Sequence, residues 1–221
     1  MKKILALTSA LLFLTFTSVK AETGLALGIT GAMHYIEADG EEIARDSAEI
    51  NTGSHNETVY IPEIFLETVS DSFTLGFAYI PTRELGPKSR TDADGNDALE
   101  NDDGTYTAKA EFENVMQFYT DVKPDHSIAG FPIHYKVGVQ RATIKSLSSL
   151  NSGSVYPEKN LFGWTLGVGT MGDLPIGNNL FYKAEVTYTD FEGLEAISDG
   201  GNKVEADLTD MAAKLSVGVR F

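Results

Sequence analysis

Acids and bases recur at every second position in several stretches of the chain. "AKAEFE" sets Lys109, Glu111 and Glu113 two apart, "YKAEV" does the same with Lys183 and Glu185, and "IPEIFLE" spaces Glu63 and Glu67 by four. A period of two places such residues on one face of a β-strand. In a confined space they can neutralise one another as ion pairs, or they can line a path for small solutes. Lys136, Lys214, Arg220 and Asp121 fall on the same parity of their own segments, so six acids face five bases in the expected inward set.

Two other groups could do chemistry. "DADGNDALENDD" partly matches a calcium-binding loop, with Asp92, Asp94 and Asn96 at ligand positions one, three and five and Asp103 in place of the final Glu. Asp97 stands where that pattern needs Gly, and no helices are expected to flank it. The segment therefore reads as an acidic solvated loop with weak calcium binding at most, and no other cofactor is expected. The histidines are His34, His55, His126 and His134. His126 is adjacent to Ser127, but a catalytic base must reach its nucleophile, and none of the four has a local Ser/Asp arrangement that provides this.

The elements that must carry these residues are strands. In "MAAKLSVGVRF", Phe221, Val219, Val217, Leu215, Ala213 and Met211 alternate with Arg220, Gly218, Ser216, Lys214 and Ala212. Seven earlier segments alternate likewise. "GLALGITGAMHYI" sets Leu25, Ile29 and Tyr35 against Ala26, Thr30 and His34, and "FPIHYKVGVQ" sets Phe131, Tyr135 and Val139 against His134, Lys136 and Gln140. "YTAKAEFENVMQFYTDV" sets Phe112, Met116 and Phe118 against Lys109, Glu111, Glu113, Gln117 and Asp121. In "VYIPEIFLETV", Tyr60, Ile64 and Leu66 oppose Glu63 and Glu67, but Pro62 and the apolar Ile61 and Phe65 leave the facing of this second strand open. Connections 70–72, 123–130 and 174–179 are short, whereas 38–57, 83–104, 145–159 and 191–203 are long and polar. Alternating short turns and long loops suit an even-numbered barrel in a membrane.

At the front, "MKK" precedes the apolar "ILALTSALLFLTFTSV", and Val19 and Ala21 occupy the small-residue positions before a cleavage site. Residues 1–21 read as a secretory signal peptide and 22–221 as one domain. No later stretch of 18 apolar residues exists to cross a membrane as a helix. There are no cysteines. The net charge of −15 becomes −18 without Lys2, Lys3 and Lys20, a poor match for nucleic-acid phosphates.

A soluble barrel has its apolar face inside and a membrane barrel has it outside, so alternation alone does not choose between them. The charges share their face with glycines and small residues, as a crowded lumen requires. Tyr35, Tyr60, Tyr79, Trp164 and Tyr188 lie beside the long loops, and Phe73, Phe118, Phe131, Tyr182 and Phe221 beside the short turns, as two interfacial girdles would. The expectation is an all-β, transmembrane, eight-stranded antiparallel up-and-down β-barrel, its last strand closing on its first.

The end segment, with Leu215, Val217, Gly218, Val219 and a final Phe221, resembles the C-terminal signal of Gram-negative outer-membrane proteins. The whole chain resembles their small eight-stranded group, the OmpA-, OmpX- and OmpW-type barrels. That resemblance implies residence in the bacterial outer membrane, contact with its lipids and lipopolysaccharide, and transient engagement of the barrel-insertion machinery. The four long loops carry −10 of the −18 and would repel lipopolysaccharide phosphates unless divalent cations bridge them. The reading is a non-enzymatic barrel with an envelope-structural or surface-interaction role through acidic extracellular loops. A narrow porin-like channel is the alternative. A lipid A-modifying enzyme, of the kind that some members of this group are, is the second.

Overall fold

A computed structural model describes residues 24–45, 50–92, 104–148, 155–176 and 179–221. The expected signal peptide lies outside these residues, as do Asp94, Asn96 and Asp103 of the expected calcium loop. The strands are β1 (Gly24–Ile43), β2 (Ile50–Val69), β3 (Phe73–Ile80), β4 (Arg83–Asp92), β5 (Gly104–Val122), β6 (Ser127–Ile128), β7 (Phe131–Ser148), β8 (Lys159–Asp173), β9 (Leu180–Phe191), β10 (Leu194–Ile197) and β11 (Lys203–Arg220). No helix occurs among the described residues. Asp92 is the last residue of β4.

Antiparallel ladders join β1 to β2, β2 to β3, β3 to β5, β5 to β7, β7 to β8, β8 to β9, β9 to β11 and β11 back to β1. β4 prolongs β3 along β5, and β10 prolongs β9 along β11, so ten of the eleven strands make eight staves of a closed up-and-down barrel. β6 folds back on the start of β7 through Ala129 and Gly130, whose φ values of 53° and 85° suit a tight hairpin turn.

The barrel is inside out relative to a soluble one. Ile29 is 65 % exposed and Leu215 64 %, whereas Lys183 is 1 % exposed and Asp121 fully buried. An outer face so rich in Leu, Ile, Val and Phe needs hydrocarbon as its solvent. The outward residues change character sharply at one level. On β1 they are apolar up to Tyr35 and then become Glu37, Asp39 and Glu41, while on β11 Met211 gives way to Thr209, Asp207 and Glu205. On β2, Tyr60 gives way to Thr58 and Asn56. The second strand turns Glu63, Glu67, Ile61 and Phe65 inward.

Two expectations need correction. The expected long loops contain strand among their described residues: β1 and β2 stay paired up to Ile43↔Ile50, and β11 and β10 pair inside the expected 191–203 loop. Beyond the membrane both faces of a strand are wet, so apolar alternation stops while the ladder continues. The second correction concerns β5. Glu113 faces Thr143 and Met116 faces Arg141, so Asn114 and Val115 together oppose Ala142 alone. This β-bulge, with Asn114 at φ 51°, reverses the parity above it. Val115 keeps the inward parity of Gln117 and Tyr119, and Phe112, beyond the bulge, turns inward as well; both are fully buried. Lys109, Glu111 and Glu113 consequently lie outside the lumen, where Lys109 pairs with Glu84 at 2.7 Å and Glu113 with Lys145 at 4.0 Å.

Candidate functional site in the barrel lumen

The lumen has three layers. Towards the short turns, aromatic rings lie across glycines of neighbouring strands. A Cβ on Gly28 would come within 2.2 Å of the Phe65 ring, one on Gly76 within 2.2 Å of Tyr119, and one on Gly218 within 2.5 Å of Phe181. Only glycine leaves room for the rings to lie flat there. Phe65 and Phe181 meet edge to face at 6.3 Å, and the Arg220 guanidinium covers Phe181 at 4.6 Å while pairing with Asp173. Arg220 thus sits at the lower mouth instead of in the central charge set.

The middle layer is ionic. Lys183 Nζ donates to Glu67 Oε1 and Asp121 Oδ2, both at 2.6 Å. Lys136 Nζ lies 2.9 Å from Glu185 Oε1 and 3.6 Å from Asp121 Oδ1, and 3.8 Å above the Tyr119 ring. The Tyr119 hydroxyl donates to Glu67 at 2.6 Å, and His134 Nε2 bonds Glu185 at 2.8 Å. One step higher, Lys214 Nζ donates to both oxygens of Glu63, at 2.8 and 3.0 Å, and Arg83 donates to Asp210 at 3.1 Å. His34 sits between the two carboxylates, Nδ1 at 2.9 Å from Asp210 and Nε2 at 3.1 Å from Glu63.

Both His34 nitrogens thus face carboxylates, and Glu63, Glu67, Asp121, Glu185 and Asp210 share this layer with Arg83, Lys136, Lys183, Lys214, His34 and His134. Asp121, His134 and Glu185 bring ligand-type atoms within 4.8 Å of one another. The ammonium groups of Lys136 and Lys183 already stand at these oxygens, where a metal ion would have to be.

The upper layer is apolar. Ile36, Ile61, Ile80, Leu85, Phe112, Val115, Ile144, Leu161, Phe191 and Leu208 form one buried cluster across the bore. Above it the Tyr156 hydroxyl donates to Glu42 Oε1 at 2.7 Å, and Asn202 Nδ2 reaches the same oxygen at 3.3 Å. Burial first, and then the Glu42 carboxylate, push the Tyr156 phenol well above its ordinary range.

The expected aromatics Tyr35, Tyr60, Tyr79, Phe118, Phe131, Trp164 and Tyr188 are exposed on the outer wall, and Phe73 and Tyr182 are half-buried. In the end strand Leu215 and Val217 face outward, Gly218 lies under the Phe181 ring, and the Phe221 amide donates to Leu25 O at 2.8 Å. Sequence reasoning missed Asp210 and Arg83. Asp210 continues the inward series Lys214, Ala212 by one more step of two; Arg83 fell in a segment read as loop.

Among solved structures, the chain is similar to outer membrane protein AlkL determined by solid-state NMR in DMPC bilayers, with 12% identity, 93% of each chain covered and a TM-score of 0.50. The fold is that of a small outer-membrane β-barrel. Similarity extends to Ail, the attachment invasion locus protein of Yersinia pestis, at 11% identity over 88% of this chain and 99% of that one with a TM-score of 0.37. Neisserial surface protein A matches at 10% identity over 86% and 97% with a TM-score of 0.38. No protein-family model and no curated protein matches the sequence. At these identities the likeness speaks to fold alone.

Proposed function

We propose that this protein is a non-conducting, non-enzymatic barrel of the bacterial outer membrane that acts through the wall it raises above the lipid. The observation that carries the reading is the filled bore, in which an ion-paired layer lies between an apolar layer and an aromatic one. Opening a solute path would separate ion pairs that are completely buried, at several kcal/mol per ion. The histidines that an acyl-transfer enzyme would need are committed elsewhere: both His34 nitrogens and Nε2 of His134 face carboxylates inside the barrel. The outward acids Glu37, Asp39, Glu41, Glu205 and Asp207 would stand at the level of lipopolysaccharide phosphates and meet them through divalent cations. Insertion by the barrel machinery through the end strand belongs to the same reading. Purified protein in planar bilayers is expected to give no steady unitary current, and its expression is expected to leave the mass of lipid A unchanged. Stable single-channel steps would overturn the first part, and a lipid A mass change abolished by His34→Ala the second.

A further inference from the structure

Four Asp–Gly pairs occur in the chain, at Asp39, Asp94, Asp103 and Asp199. An aspartate followed by glycine can react with its own backbone, because no Cβ shields the next amide nitrogen. That nitrogen, together with the aspartate main-chain carbon, Cα, Cβ and Cγ, makes up the ring of a cyclic imide. The ring closes only where the backbone leaves the nitrogen free to meet the carboxyl. Asp94 and Asp103 lie outside the described residues, and the other two pairs stand in opposite settings.

Asp39–Gly40 lies within β1, with Gly40 opposite Gly53 of β2 on one side and Ala206 of β11 on the other. The Phe221 amide donates to Leu25 O, so odd-numbered residues of β1 bond β11 and even-numbered ones bond β2. The Gly40 amide is therefore a rung of the β1–β2 ladder. Asp39 is exposed, so it is the ladder and not burial that holds this pair unreactive.

Asp199 and Gly200 are the central residues of the turn between β10 and β11, and both are exposed. Gly201 N donates to Ser198 O at 3.0 Å and Ser198 N to Asn202 O at 2.8 Å, closing the turn around them. The amide of the third residue in such a turn is not used by the closing bond, and Gly200 N has no main-chain partner among the described residues. It donates instead to Asp199 Oδ1, at 2.8 Å. The carboxyl is folded back onto the nitrogen that can attack it.

We propose that Asp199–Gly200 is a self-modification site, where the folded turn converts aspartate to isoaspartate with water as the only co-reactant. Gly200 N attacks Cγ of the protonated Asp199 carboxyl. The N–Cγ bond forms, a Cγ–O bond breaks, and the amide proton leaves with the hydroxyl as water. Water then adds to one carbonyl of the imide and a C–N bond breaks. Opening at the former main-chain carbonyl leaves the chain running through Cγ, whereas opening at Cγ restores aspartate. Nothing is oxidised or reduced, and the net mass is unchanged. The product main chain is one atom longer inside the bonds that close the turn. Asn202, next along, ties this turn to the end of β1, its Oδ1 accepting from Arg45 N at 3.1 Å and its Nδ2 reaching Glu42 Oε1 at 3.3 Å. The change therefore falls on the joint between the two hairpins.

The test incubates the barrel folded in nanodiscs in warm, mildly acidic buffer made with heavy-oxygen water, beside the same chain unfolded in urea. Trypsin then separates the two aspartates, one on the peptide 184–203 and the other on the peptide ending at Arg45. Electron-transfer fragmentation tells the β-linked residue from the normal one, and uptake of heavy oxygen records each imide that reopens. In the folded barrel isoaspartate is expected to form at Asp199 at least tenfold faster than at Asp39. In urea the two rates are expected to converge, because the ladder that protects Gly40 is gone. Gly200→Ala leaves the turn room, since its Cβ would lie 3.8 Å from Ser198 Oγ, an ordinary contact. It shields the attacking nitrogen and is expected to slow the reaction at Asp199 at least fivefold, with Asp39 unchanged. Equal rates at Asp199 and Asp39 in the folded barrel would overturn the proposal. So would an Asp199 that converts in urea but not when folded, or a Gly200→Ala rate equal to wild type. The folded and unfolded wild-type chains decide the matter even if the variant does not fold.

Discussion

Lys183 is the most heavily committed cation of the bore, and replacing it with Met tests whether the ionic layer holds the barrel together. Its ammonium lies 2.6 Å from oxygens of both Glu67 and Asp121 and 3.7 Å from Glu185. At an effective dielectric of about 20, each 2.6 Å contact is worth roughly 6 kcal/mol of attraction. Most of that is offset by the cost of taking the ions out of water, and removing one partner of a buried group nets a loss of about 3–5 kcal/mol. Lys183→Met is therefore expected to lower unfolding stability by about 3–5 kcal/mol, read by Trp164 fluorescence during urea titration in lipid vesicles. Glu67→Gln is expected to cost less, because its amide oxygen still accepts from Tyr119 and Lys183. The double variant should be less damaged than the sum of the two, because one unpaired carboxylate is gone. A loss below about 1 kcal/mol for Lys183→Met would mean that water reaches these groups, and the closed-bore argument would fail with it.

Gly76→Ala pushes a Cβ into the Tyr119 ring and is expected to cost about 1–3 kcal/mol in the same assay, with strong non-additivity toward Tyr119→Ala. Asn114→Ala, which forces a left-handed backbone on a residue that avoids it, should cost about 1–2 kcal/mol, and Asn114→Gly should equal wild type. Tyr156→Phe removes a bond to a carboxylate and is expected to cost about 1.5–3 kcal/mol at neutral pH. Because the folded Tyr156 phenol titrates above its unfolded range, this contribution is complete below about pH 10 and is lost as pH rises towards the folded value. The difference between wild type and variant, followed by denaturant melts across that range, should therefore close at alkaline pH.

Where one face of a strand meets lipid and the other a polar bore, the pattern was legible. Leu25 to Tyr35, Phe131 to Val139 and Met211 to Phe221 alternate without interruption, and they made the barrel and its sidedness readable. Legibility failed where that contrast vanishes. The upper bore is lined by apolar side chains, so Ile61 blurred the facing of the second strand and Phe112 read as one of the lipid-facing residues. Residues 38–43 and 50–57 carry polar residues on both faces, so they looked like loop. The bulge at Asn114 shifted Lys109, Glu111 and Glu113 outside through a single backbone conformation. Its only trace in sequence is an Asn followed by an apolar residue on the inward parity. The pairing of His34 with Asp210 joins residues 176 apart in sequence, which no local spacing reveals.

The hairpin of β1 and β2 is also a mechanical part. Twenty rungs at about 3.3 Å each make it far longer than the hydrocarbon is thick, so its upper part rises above the lipid as a mast, braced by β11 along β1 up to Ile43. Tension applied at its tip runs along the strands and loads the cross-strand bonds side by side, instead of peeling them one after another. Whatever grips that mast under flow pulls against the whole ladder at once, and the weak point becomes the grip or the lipid seat, not the protein between them.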